Sequence, residues 1–153
     1  MIEFLTGNIL AADVEAVVNP ANAHGVMGAG LALQFKNKYP RMLAEYKRRC
    51  AAGEFGAGEV MPVKVGDSNP QWVLNLATKD HWRDPSKLEY IERGLADLRR
   101  AILSLELTSV AIPALGCGRG ELDWSTVRAR IEAFPLALLA KPAAGLVAAH
   151  HAV

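Results

Sequence analysis

Short apolar runs alternate along the chain with longer stretches of helical period. Ile2 to Leu5, Glu15 to Val18, Val60 to Val65, Trp72 to Leu76 and Ser109 to Pro113 read as strands, several of them bounded by Gly, Asn or Pro. Between Lys87 and Leu105 the apolar residues Leu88, Ile91, Leu95, Leu98, Ile102 and Leu105 recur at steps of three and four. That spacing predicts a helix with one buried stripe. Ser86-Lys87-Leu88-Glu89, directly after Pro85, has the spacing of a capping box at its start. Further helices are predicted to begin near Gly30, Pro40 and Trp124; proline suits the first turn of a helix. Strands that alternate with helices predict an α/β fold, a mostly parallel sheet covered on both faces. Ligands of such sheets bind at the carboxyl ends of the strands.

Composition narrows the choice. The 153 residues predict one domain, 1–153, with a single core, and 51% hydrophobic with 22% charged residues is an ordinary globular balance. The 17 basic and 16 acidic residues leave a net charge of +1, which excludes a strongly basic nucleic-acid binder but not a local basic rim. Lys36 with Lys38, and Lys47 with Arg48 and Arg49, read as solvated helix faces before they read as phosphate contacts. Cys50 and Cys117 are far apart and outside any CxxC or Cys/His pattern. Neither a disulfide framework nor a metal site is expected, and the usage suits a reducing cytoplasm. The N-terminal residues lack the pattern of a signal peptide, and no apolar run approaches the roughly 18 residues of a membrane span.

Three loops carry candidate chemistry. Val17 to Leu31 passes from a strand through a polar turn (Asn19, Asn22, His24) and three glycines (Gly25, Gly28, Gly30) into a helix. Glycines let backbone N–H groups approach an anion, and the following helix N-terminus adds its dipole. The loop is neither a Walker A sequence nor a dinucleotide fingerprint, and alone it also reads as a plain turn. Ile112 to Trp124 repeats the arrangement, with glycines at 116, 118 and 120, an alternation suited to wrapping a diphosphate. Asn75 to Arg83 places Lys79 just after a buried strand. Burial would lower the pKa of its amine and make it a nucleophile. A solvated loop lysine is the plainer alternative. His81, Trp82 and Arg83 could stack on and clamp a single-stranded base, or Trp82 could wedge into the edge of the core.

Taken together these residues resemble the macrodomain family, and within it the branch of DNA ADP-ribosyl glycohydrolase antitoxins of the DarG type. The matching pieces are Thr6 to Leu10, Val18-Asn19 with Asn22, Gly25 to Lys36, Pro62-Val63, Thr78-Lys79-x-His81-Trp82-Arg83, and Pro113 through Trp124; together the likeness covers about residues 1 to 132. The resemblance implies a three-layer α/β/α fold with a central mixed, mostly parallel sheet. It implies an ADP-ribose cleft at the sheet edge, with Asn8 and Ile9 by the adenine. Asn19, Asn22 and Met27-Gly28-Ala29-Gly30-Leu31 would lie beside the distal ribose and diphosphate, with Thr78 nearby. Ala114-Leu115-Gly116-Cys117-Gly118-Arg119-Gly120-Glu121 would wrap the diphosphate, and Lys79 would be catalytic. The activity implied is removal of ADP-ribose from thymidine in single-stranded DNA, reversing a toxin that is the implied partner. No cofactor is implied.

The chain departs from the family pattern at three places. Asn8 stands where many macrodomains carry Asp, Ala29 where this branch usually has Lys, and Gly120 where protein-directed relatives place an acid. Glu121 is the nearest carboxylate to that last position and reads as a helix cap or a solvated group. Two other readings remain open: a non-catalytic ADP-ribose reader, and a hydrolase of ADP-ribosylated protein carboxylates or acylated metabolites. From Pro135 to His151 the Ala-rich sequence fits either a divergent last strand or an altered reading frame.

Overall fold

The computed structural model of the chain describes residues 2–134 and 146–151. Six strands form one sheet: β1 (Ile2–Thr6), β2 (Ala16–Asn22), β3 (Val60–Lys64), β4 (Trp72–Lys79), β5 (Val110–Pro113) and β6 (Leu146–His151). Their order is β1-β6-β5-β2-β4-β3, and every neighbouring pair is parallel except the antiparallel β3 and β4. The helices are α1 (Gly30–Lys38), α2 (Pro40–Ala51), α3 (Leu88–Ser104) and α4 (Trp124–Ala133), with a short 3-10 turn at Ile9–Ala11.

Alternation along the central strands sorts the core into two layers. Ala16 and Val18 of β2 and Leu74 and Leu76 of β4 face α3 and α4, where they bury Ile91, Leu95, Leu98, Ile102, Val127 and Ile131. Val17, Ala21, Val73 and Ala77 face the other way, onto Phe35 of α1 and Met42 and Tyr46 of α2. This is the three-layer α/β/α arrangement expected, and the period of two in the strands is what allows one sheet to feed two cores. The α3 stripe is buried as its spacing predicts, with Leu88 and Leu105 at the margin. Gly94 is its point of closest approach to the sheet: an added Cβ would lie 2.6 Å from a methyl of Leu76.

Three local expectations are corrected. Strand β2 does not end before the polar turn but runs on to Asn22, because β4 continues to pair with it through Asn19, Pro20 and Ala21. Strand β5 pairs with β2 only at Ala16 and Val17, so the far side of the extension tolerates a proline that lacks an N–H. Likewise Lys79 is the last residue of β4 rather than the first residue after it. The capping box is not made: the N-cap of α3 is Lys87, without a side-chain cap bond, and Ser86 is buried against another loop. A C-terminal strand does form at Leu146–His151, between β1 and β5, whereas Pro135 to Gly145 lies outside the described residues. Among the described residues no helix is long and apolar enough to cross a membrane.

Candidate functional site

Strands β2, β4 and β5 end side by side, so the loops after them meet over one edge of the sheet. Lys79 sits at this junction as the register partner of Asn22, and an irregularity between Ala21 and Asn22 skips Thr78 and brings the two together. The partly buried Lys79 amine donates to the Arg119 carbonyl at 3.1 Å and lies 3.5 Å from that of Trp82. It therefore joins its own loop to the glycine loop after β5. Burial lowers its pKa, the Arg119 guanidinium lowers it further, and Glu121 and Asp84 oppose both.

The loop after β2 is braced by its own polar residues. Asn22 is 7% exposed; its amide donates to the Val26 carbonyl at 2.7 Å and its side-chain oxygen accepts from the His24 N–H at 2.9 Å. The buried Tyr46 hydroxyl donates to the Asn22 carbonyl at 2.7 Å. Asn19 is fully buried, and its amide donates to Asn75 on the neighbouring strand at 2.9 Å, with the sulfur of Met27 3.7 Å away. Asn19 thus fastens the loop to the neighbouring strand from below. Met27 is buried with it, while Gly28 and Gly30 are exposed. Helix α1 starts there with Ala29 as an N-cap that makes no side-chain bond. Its first N–H groups and the positive end of its dipole are thus available to an anion.

The loop after β5 turns twice with positive φ, at Gly116 (71°) and at Glu121 (66°). Its internal bonds run from the N–H of Cys117 to Ala114, of Glu121 to Gly118 and of Leu122 to Gly116. The N–H groups of residues 118–120 take no part in them. Leu115 and Gly120 are buried and Ala114 is half-buried, whereas Gly118 and Arg119 are exposed at the tip. Burial, with the Asp123 carboxylate adding to it, pushes the Cys117 thiol up to about 11, which favours its neutral form. Glu121 is exposed and does not cap α4; Asp123 does, accepting from the Thr126 N–H at 3.1 Å.

At the other end of the site, Asn8 caps the 3-10 turn by accepting from the Leu10 N–H at 3.0 Å, and Ile9 is buried. Thr78 is buried, with its hydroxyl 3.5 Å from the Ala21 carbonyl. Around Lys79 the rings form a continuous stack. His24 meets His81 edge-on at 4.5 Å, His81 stacks on Trp82 at 5.3 Å, and the Arg83 guanidinium lies 4.6 Å from the Trp82 ring. Trp82 is 43% exposed, so it is not wedged into the core. The sequence marks His24 only as part of a polar turn, without a role; its Nδ1 also lies 3.2 Å from the Asp80 carbonyl. Its pairing with His81 depends on two strand ends meeting, which spacing alone does not reveal.

The model of one family, the Macro domain, matches residues 18–131. The chain belongs to the macrodomain family. This macrodomain is 48% identical over 132 residues to a DNA ADP-ribosyl glycohydrolase of Mycobacterium tuberculosis, a match covering 86% of the chain and 38% of that relative, so it spans about two-fifths of the relative's length. It superposes on the solved macrodomain of Mycobacterium tuberculosis DarG with a TM-score of 0.90, at 44% identity and with 97% of both chains covered. Against Thermosipho africanus DarTG in complex with ADP-ribose the TM-score is 0.83, at 27% identity, over 97% of this chain and 41% of the other.

Proposed function

We propose that the macrodomain binds ADP-ribose across the edge formed by β2, β4 and β5 and uses Lys79 to remove it from a thymidine base of single-stranded DNA. One observation carries the catalytic part: the partly buried Lys79 amine, its pKa lowered, donates to the Arg119 carbonyl of the glycine loop after β5. The uncapped start of α1 and the 116–121 loop supply backbone N–H groups for the diphosphate, with Asn8 and Ile9 toward the adenine. Asn19, Asn22, Met27 and Thr78 hold those loops in place. The exposed stack of His81, Trp82 and Arg83 offers a face to the DNA bases. Likeness to a relative named for this activity supports the reading.

In the proposed reaction the Lys79 amine attacks C1″ of the distal ribose as the bond from C1″ to the base breaks, the base takes up the proton that the amine gives up, and opening of the ribose ring turns the new C1″–N bond into a Schiff base. Water then displaces the lysine, giving free ADP-ribose and the original amine. Fixed backbone dipoles around the diphosphate position C1″. A cognate DNA ADP-ribosyltransferase toxin and a cytoplasmic setting belong to the same reading. Lys79→Ala is expected to lower release of ADP-ribose from modified single-stranded oligonucleotide by at least a hundredfold while ADP-ribose still binds. Borohydride should trap an adduct on the wild-type chain. Unchanged turnover in the variant would refute the role of Lys79, and binding without turnover in the wild type would leave a reader.

A further inference from the structure

Ser86 is 5% exposed, and its hydroxyl has no hydrogen-bond partner among the described residues. It lies between the Lys79 loop and α3, where its spacing suggests a helix cap, yet α3 is capped at Lys87 without any side-chain bond. The residue faces the glycine loop instead. Its N–H donates to the Gly120 carbonyl at 3.0 Å. A Cβ on Gly116 would lie 3.0 Å from the Ser86 Cβ and 3.2 Å from its hydroxyl. A Cβ on Gly120 would overlap that hydroxyl and lie 2.5 Å from the Gly116 carbonyl oxygen. The Ser86 side chain therefore fills the inside of the loop, and its hydroxyl and the Gly116 carbonyl flank one point.

Buried hydroxyls are nearly always paired, and one that is not calls for an account in function. The Gly116 carbonyl accepts from the Leu122 N–H at 2.9 Å and keeps a second lone pair. We propose that Ser86 is a positioning residue for the diphosphate loop: when ADP-ribose draws residues 116–121 onto its phosphates, the Ser86 hydroxyl donates to the Gly116 carbonyl and holds the loop in its bound shape. The proposal rests on ADP-ribose being the ligand of this site. It also accounts for glycine at 120, since any side chain there would displace the hydroxyl that closes the loop.

A residue acting only on the fold would change free and bound protein alike, whereas this one separates them. Ser86→Ala removes a donor that is unpaired in the free chain, so thermal denaturation without ligand should show an unchanged or higher Tm. Calorimetric titration with ADP-ribose should show the Kd rise about fivefold to tenfold, the loss expected for one hydrogen bond made only on binding. The rise in Tm that ADP-ribose produces should shrink correspondingly. Gly120→Ala should weaken binding through the same contact. A Kd for Ser86→Ala within about twofold of the wild type would overturn the proposal. So would a lower Tm of the free variant, because the hydroxyl would then already be serving the unliganded fold. A wild-type chain that does not bind ADP-ribose would instead refute the functional reading beneath it.

Discussion

Burial and three charged neighbours set the pKa of Lys79, and they do not agree in sign. Burial and the Arg119 guanidinium favour the free amine; the Glu121 and Asp84 carboxylates favour the ammonium. A lysine whose pKa is lowered loses its proton at a lower pH than usual. If the free amine is the nucleophile, kcat/KM should therefore climb with pH through an inflection below the ordinary lysine value of 10.5. The neighbours give this a second check. Arg119→Gln removes a repelling charge and should move the inflection to higher pH, whereas Glu121→Gln removes an attracting one and should move it lower. Opposite displacements in the pH profiles would tie activity to this amine; an activity that falls as pH rises would show that the ammonium is the working form. Both neighbours are exposed residues of the 116–121 loop, so the loop tunes the lysine as well as carrying its hydrogen-bond acceptor.

At the scale of elements, periodicity made α3 legible because its stripe is local: each apolar residue lies one turn from the next and all meet the same sheet face. Its contact at Gly94 was not legible, since it depends on the distance between helix and β4. Gly94→Ala should cost about 1–3 kcal/mol, because the new Cβ would meet Leu76 in a packed layer, although alanine is the better helix former. Chemical denaturation would measure it, and a variant at least as stable as the wild type would show that Leu76 gives way easily. The same distinction between local and tertiary causes explains the errors. Asn19-Pro20 has the local chemistry of a turn, but pairing with β4 and the Asn19 to Asn75 bond keep it extended. Ser86 and Glu89 have the spacing of a cap, but the crowded inside of the glycine loop takes Ser86 away. The glycine loops stood out as a pair because both follow parallel strands of one sheet, whereas a role for Lys79 was favoured only by the family resemblance. The ring stack from His24 to Arg83 was only half visible, since His24 arrives from another strand.

The whole molecule depends on a strand that its sequence announces poorly. Among the described strands β1 stands at the sheet edge with β6 as its single neighbour, and β6 in turn links it to β5. The register runs from Ile2 opposite Leu146 to Thr6 opposite His151. Beyond that ladder β1 is held through Phe4, which packs edge-on against Trp124 at 6.3 Å and lies beneath the Arg128 guanidinium at 4.0 Å. Leu146 to His151 is rich in alanine and does not alternate clearly between apolar and polar residues, so pattern alone could not distinguish a strand from unrelated sequence. In the proposed binding mode its place in the sheet bears on ADP-ribose binding, because Asn8 and Ile9 follow directly on β1. A chain ending at Phe134 would take away the ladder partners of the β1 donors and acceptors that face β6 and turn β5 into an edge. It should therefore unfold at a lower temperature and with a broader transition by circular dichroism. It should also lose affinity for ADP-ribose by more than the Ser86 substitution does, because the adenine end would no longer be held against the loops that grip the diphosphate. Full affinity in that truncated chain would mean that β2, β4 and β5 hold the ligand without help from β1, and would move the adenine away from Asn8.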